Sequence, residues 1–115
     1  MDKLKIKHKF PNKKPDLKQI DHGWMSYGNK RLVSKYLTAN VKVVLELGVW
    51  LGVSVKYELD ISSDTIVIAV DLWDDGGETI QRSVKGKKNI DKNIVNASKD
   101  LYNYFLLNVW DYKDR

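Results

Sequence analysis

Two short apolar runs, Val41–Leu47 and Thr65–Val70, flank a glycine-containing turn and a helix-length segment, and this arrangement constrains the chain more than any other feature. Both runs are β-branched and mostly apolar, as expected of parallel strands covered on both faces. Strands of one direction need a crossover between them. The segment after Gly48 supplies it, with Val55 and Leu59 one helical turn apart. The first run ends at Gly48, and Gly48, Gly52 and Ser54 form a G-x-x-x-G-x-S turn. Glycines there let backbone N–H groups approach a ligand at the start of the next helix. The second run ends on Asp71, at the carboxyl end of its strand, where open α/β sheets bind ligands.

The spacing excludes the two commonest phosphate-binding loops. A G-x-G-x-x-G fingerprint starting at Gly48 would need glycine at Trp50 and Val53, and an indole at that point blocks a pyrophosphate. A P-loop would need glycine at position 53 followed by Lys-Ser or Lys-Thr, and neither is present. Glu46, two residues before the first glycine, is an unfavourable neighbour for phosphate and a favourable one for a cationic or amine-bearing ligand.

With these residues in view, V-V-L-E-L-G-V-W-L-G-V-S followed by I-V-I-A-V-D-L-W resembles motifs I and II of the class I S-adenosylmethionine-dependent methyltransferases, most closely small-molecule or sugar-type members. The resemblance implies that S-adenosylmethionine is the cofactor. It also implies that Glu46 and Gly48 line its methionine end, that Gly52 and Ser54 shape the loop, and that Asp71 holds the ribose hydroxyls. A carboxylate suits a diol, and Asp71 lies 23 residues past Gly48, close to the roughly 20 expected of such units. Trp50 and Trp73 are candidates to stack on the adenine, although tryptophans beside a sheet edge more often serve packing. Upstream, Gly23–Asn29 looks like an entry segment that some members place before the first strand.

Composition narrows the remaining classes. A chain of 115 residues is at most one domain, and without cysteine it has neither disulfides nor thiolate metal sites. His8 and His22 lack ligand-spaced companions, and Asp74 and Asp75, followed by two glycines, read as a solvated loop, so no metal site is expected. No apolar run is long enough to span a membrane and no secretory h-region is visible, so a cytoplasmic protein without membrane contact is expected. The net charge of +5 comes from the front, where residues 1–40 carry ten Lys or Arg against three Asp. Lys3, Lys5, Lys7 and Lys9 alternate with Leu4, Ile6, His8 and Phe10, a pattern of an edge strand or a basic arm. Nucleic-acid binding is the less favoured reading of it, because the arm contains no arginine and no recognition motif.

The expected organisation is a basic arm over 1–16 and the N-terminal half of a methyltransferase-like α/β domain over 17–115. Helix is expected from about Leu17 to Thr38, interrupted near Gly23 and Gly28, then the βαβ unit, then a polar loop from Asp74 to about Asn89. Ile90, Ile94, Ala97, Leu101, Phe105 and Val109 recur at intervals of three or four and predict one continuous apolar helix stripe. The fold class is thus a partial Rossmann-like parallel sheet with flanking helices, truncated before its third strand. The later strands of a complete family member would carry the substrate pocket and catalytic residues, so no catalytic residue is assigned and enzymatic activity is left open. Open sheet edges point to a homo-oligomer or a separate C-terminal half. A small-molecule substrate follows if the assembly is active. The alternative is a non-enzymatic interaction module or inactive remnant.

Overall fold

The computed structural model describes residues 10–73 and 92–115. Residues 1–9 of the arm expected over 1–16, the polar loop expected from Asp74 to about Asn89, and Ile90 lie outside the described residues. The fold is mixed α/β. Helix α1 (Tyr27–Tyr36) precedes strand β1 (Val43–Leu47), helix α2 (Val53–Ile61) and strand β2 (Ile66–Val70), and helices α3 (Lys92–Ser98) and α4 (Leu101–Val109) lead into a short 3₁₀ turn, Trp110–Tyr112. The strands form a two-stranded parallel sheet in the register Val43↔Ile66 to Leu47↔Val70, joined through α2. The Gly48 N–H donates to the Val70 carbonyl at 2.8 Å and carries the ladder one residue past β1.

Residues paired in parallel register point to the same face. Val67 and Ala69 pack into the core with Val55 and Leu59 of α2 and Phe105, Leu106 and Val109 of α4. A second cluster, Leu51, Ala97 and Leu101, forms where the β1–α2 loop meets the junction of α3 and α4. Among the described residues the opposite sheet face is bare, with Leu45 61% and Leu47 71% exposed.

Two expectations about helices need correction. Residues 17–26 are not helical, and α1 begins only after Ser26, whose hydroxyl accepts the Asn29 N–H at 3.2 Å. Tertiary contacts hold the preceding segment in an irregular path. The Ile20 carbonyl accepts from Asn108 Nδ2 at 3.0 Å, and a Cβ on Gly23 would lie 2.9 Å from that of Val53. Gly23 therefore serves a close approach to α2, whereas Gly28 lies inside α1 and does not interrupt it.

The continuous C-terminal helix is instead two helices. The Lys99 and Asp100 N–H groups turn back to carbonyls three residues earlier, and the Ser98 hydroxyl bonds the Val95 carbonyl at 2.7 Å, competing with the helical ladder. Asp100 leaves the helical region and begins α4. The apolar spacing survives the break, since Ala97, Leu101, Phe105 and Val109 are all buried.

Candidate functional site

At the carboxyl end of β1, the strand, the turn after it, the first residues of α2, helix α1 and the Gly23–Met25 segment enclose a cavity of about 300 Å³. Such a volume is at the lower end for small-molecule sites. Glu46, Gly48, Trp50 and Ser54 all line it, so four of the residues singled out from sequence converge. The entry segment contributes Gly23, Trp24 and Met25.

Gly48 takes φ +76°, and a Cβ there would meet no atom within 4 Å, so the backbone requires glycine while the space beside it is open. Trp50 is left-handed as well, at φ 52°, an uncommon conformation for a bulky residue. It is held from both ends. Its backbone N–H donates to Asp71 Oδ2 at 2.8 Å and its indole Nε1–H to His22 Nδ1 at 3.1 Å. The indole also lies against the Trp24 ring, with centroids 6.1 Å apart.

Glu46 receives a short hydrogen bond from the Ser54 hydroxyl on one oxygen, and its other oxygen, Oε2, is buried without a partner. Burial raises the Glu46 carboxyl above its ordinary value, partly offset by the Ser54 bond. Glu58, one turn along α2 from Ser54, lines the same cavity, is only 8% exposed, and also has Oε2 buried without a partner. Burial, with the charge of Glu46 adding to it, pushes the Glu58 carboxyl up to about 7. Among the described residues, no Lys or Arg lines the cavity. The cavity is therefore acidic, a match for cationic ligands and a mismatch for phosphate.

The other three candidates lie elsewhere. Gly52, at φ +83°, is buried and caps α2. A Cβ on it would come within 2.9 Å of the Phe105 ring and 3.2 Å of Val109, so its small size serves helix packing. Asp71 accepts the Trp50 N–H on one oxygen and the Leu72 N–H at 2.7 Å on the other, which makes it a clasp between the β1–α2 turn and the end of β2. Trp73 stacks in tilted contact with Phe105 at 4.8 Å and edge-on with Tyr102 at 5.3 Å, joining the core as packing suggested. It borders a second, apolar cavity of about 800 Å³ along β2 and α4, away from Glu46.

Glu58 escaped the reading of the sequence because α2 was judged by its apolar positions, Val55 and Leu59. The signal was present in Ser54 and Glu58, four apart and hence neighbours on one helix face. No group of His, Asp or Glu side chains able to hold a metal ion occurs among the described residues, and no helix among them is long and apolar enough to cross a membrane. A scan of family models and searches of curated proteins and of solved structures gave no match.

Proposed function

We propose that this chain is an S-adenosylmethionine-binding, methyltransferase-like domain whose cofactor occupies the cavity at the end of β1. The observation that carries this reading is the convergence of Glu46, Gly48, Trp50 and Ser54 on an acidic cavity at the carboxyl end of a parallel strand. Ligands of open α/β sheets sit at that end. A cofactor bearing a sulfonium and an ammonium is complementary to buried carboxylates and to a lining without Lys or Arg among the described residues. The Rossmann-like ancestry rests on the motif resemblance, supported by the parallel pair with a helical crossover. If a complete assembly is active, the methyl group passes to an oxygen or nitrogen of a small molecule or sugar by in-line displacement, with positioning supplying much of the rate.

Asp71 is the weakest part of the correspondence. Both of its oxygens already accept backbone N–H groups, which leaves one lone pair on each for a ribose.

Calorimetric titration of the full chain with S-adenosylmethionine tests the proposal. Saturable binding that weakens at least tenfold in Glu46→Gln is the expected outcome, as loss of a charged hydrogen-bond partner costs about 1.5–3 kcal/mol. A folded chain that takes up no cofactor refutes it. The second reading, a non-enzymatic interaction module, is favoured by the bare sheet face carrying Leu45 and Leu47, and it predicts association that is indifferent to Glu46→Gln.

A further inference from the structure

Glu58 has no role in the motif that suggested the cofactor, yet it is the most enclosed charged side chain of the cavity. One of its oxygens is buried with no hydrogen-bond partner, and the same holds for Glu46. Two adjoining carboxylates, each with an unsatisfied buried oxygen, cannot both be ionised cheaply in a space without a counter-charge. Two events relieve them. Either a proton stays on the pair, or a cation enters.

We infer that Glu46 and Glu58 together form a seat for one cationic group of the ligand, holding a proton when the seat is empty and releasing it when the cation arrives. This rests on the proposed cofactor reading for the identity of the ligand, but the proton-holding pair is a property of the empty protein. On binding, the carboxylic O–H bond of the pair breaks, its electrons stay on the carboxylate, and the proton passes to buffer. The cation then sits between two carboxylates.

Among the described residues the surroundings contain no other charge able to take over this role. Helix α1 carries Lys30, Arg31 and Lys35, but these lie over the rings of Tyr57, Tyr27 and Tyr36 rather than in the cavity. Strand β2 and helix α4 bring no charged residue against α2, and Arg115 is engaged with the carbonyls of Leu59, Ser62 and Thr65. His22 Nδ1 accepts the Trp50 indole N–H. Lys56 and Asp60 are on α2 itself and do not line the cavity. The burial that raises Glu58 to about 7 sets the pH range in which exchange should be visible.

The test is calorimetric titration with S-adenosylmethionine at pH 6 and pH 8, in phosphate and in Tris, whose ionisation heats differ. At pH 6 the expected result is release of about one proton per ligand, with affinity falling roughly tenfold per pH unit below about 7. Glu58→Gln, which mimics the protonated acid, should bind more weakly and lose both effects. S-adenosylhomocysteine, which keeps the ammonium and lacks the sulfonium, serves as a second probe. Equal proton release by both places the ammonium in the seat, and release by S-adenosylmethionine alone places the sulfonium there. Tight binding without proton release, or an unchanged pH profile in Glu58→Gln, overturns the inference and leaves the cofactor reading intact. If S-adenosylmethionine does not bind, the cofactor reading fails and carboxyl-carbon NMR of the empty chain decides the pair. Titration of Glu58 near neutrality that moves down in Glu46→Gln while staying above the ordinary range supports it, since burial remains when the neighbouring charge is removed, and ordinary titration in the parent chain overturns it.

Discussion

Single residues in the β1–α2 turn perform different tasks that the motif alone does not separate. Gly48 and Gly52 are equivalent in the sequence pattern, and both have positive φ, but one faces open space and the other the Phe105 ring. Alanine at Gly48 should cost only the left-handed penalty, about 1–2 kcal/mol. Alanine at Gly52 adds overpacking of a further 1–3 kcal/mol or so, since both Phe105 and Val109 must move. Urea denaturation of the two variants checks this, and equal losses would contradict the packing role of Gly52. Glu58 gives a pH signature. Its folded-state value of about 7 exceeds the ordinary 4.5, so the folded chain binds more protons than the unfolded one between these values. That contribution to stability is complete below about pH 4.5 and is lost as pH rises through about 7. Unfolding midpoints at pH 5 and 8 should therefore differ less in Glu58→Gln than in the parent chain. That Glu46, Gly48 and Ser54 would come together was legible because strand, turn and helix start are local, whereas the hydrogen bond between Glu46 and Ser54 was not foreseen. The destinations of Gly52 and Asp71 were not legible, because Gly52 is set by Phe105 and Val109 and Asp71 by the Trp50 N–H, partners brought from elsewhere in the chain, whereas the packing of Trp73 was the favoured reading.

The elements are tied together by a few polar side chains that stand where apolar burial ends. Asn108 of α4 donates through Nδ2 to the carbonyls of Ile20 and Leu51, joining the irregular entry segment, the turn after β1 and the last helix. Replacing it with alanine leaves two carbonyls without their donor and should cost about 1–3 kcal/mol. Thermal unfolding would register this, and an unchanged midpoint would show that the tie is dispensable. Arg115 plays a similar part for α2. Its guanidinium reaches the carbonyls of Leu59 and Ser62 at 3.2 and 2.6 Å, at the end of the helix where carbonyls lack partners and positive charge is favoured. Arg115→Ala should accelerate amide exchange in the last turn of α2 more than in its first. The strands and α2 were readable from the apolar pattern and the glycine. The late start of α1 and the break at Asp100 were not, since the irregular residues 17–26 and the Ser98 back-bond owe their conformation to contacts that periodicity does not encode.

For the whole molecule, the two-stranded sheet is the dominant fact, because one of its faces is covered by α2 and α4 while the other exposes Leu45 and Leu47 among the described residues. Parallel sheets are ordinarily covered on both faces, and contiguous apolar patches promote association. Light scattering should rise with protein concentration. Leu45→Lys combined with Leu47→Lys should suppress that rise while leaving the far-ultraviolet dichroism of the fold in place. A scattering profile identical in parent and variant would locate the association elsewhere. The parallel pairing was foreseeable from two β-branched runs flanking a crossover. Which face would remain bare was not, as that depends on how α4 folds back over α2. The clustering of Trp24 and Trp50 around one cavity, while Trp73 and Trp110 are placed elsewhere, also has a practical consequence. The indole of Trp50 is wedged between an imidazole and a second indole at the cavity wall, so any occupant changes the polarity around a native fluorophore. The protein carries its own optical probe of occupancy, and emission quenching in a Trp73→Phe, Trp110→Phe background would follow ligand entry without a label.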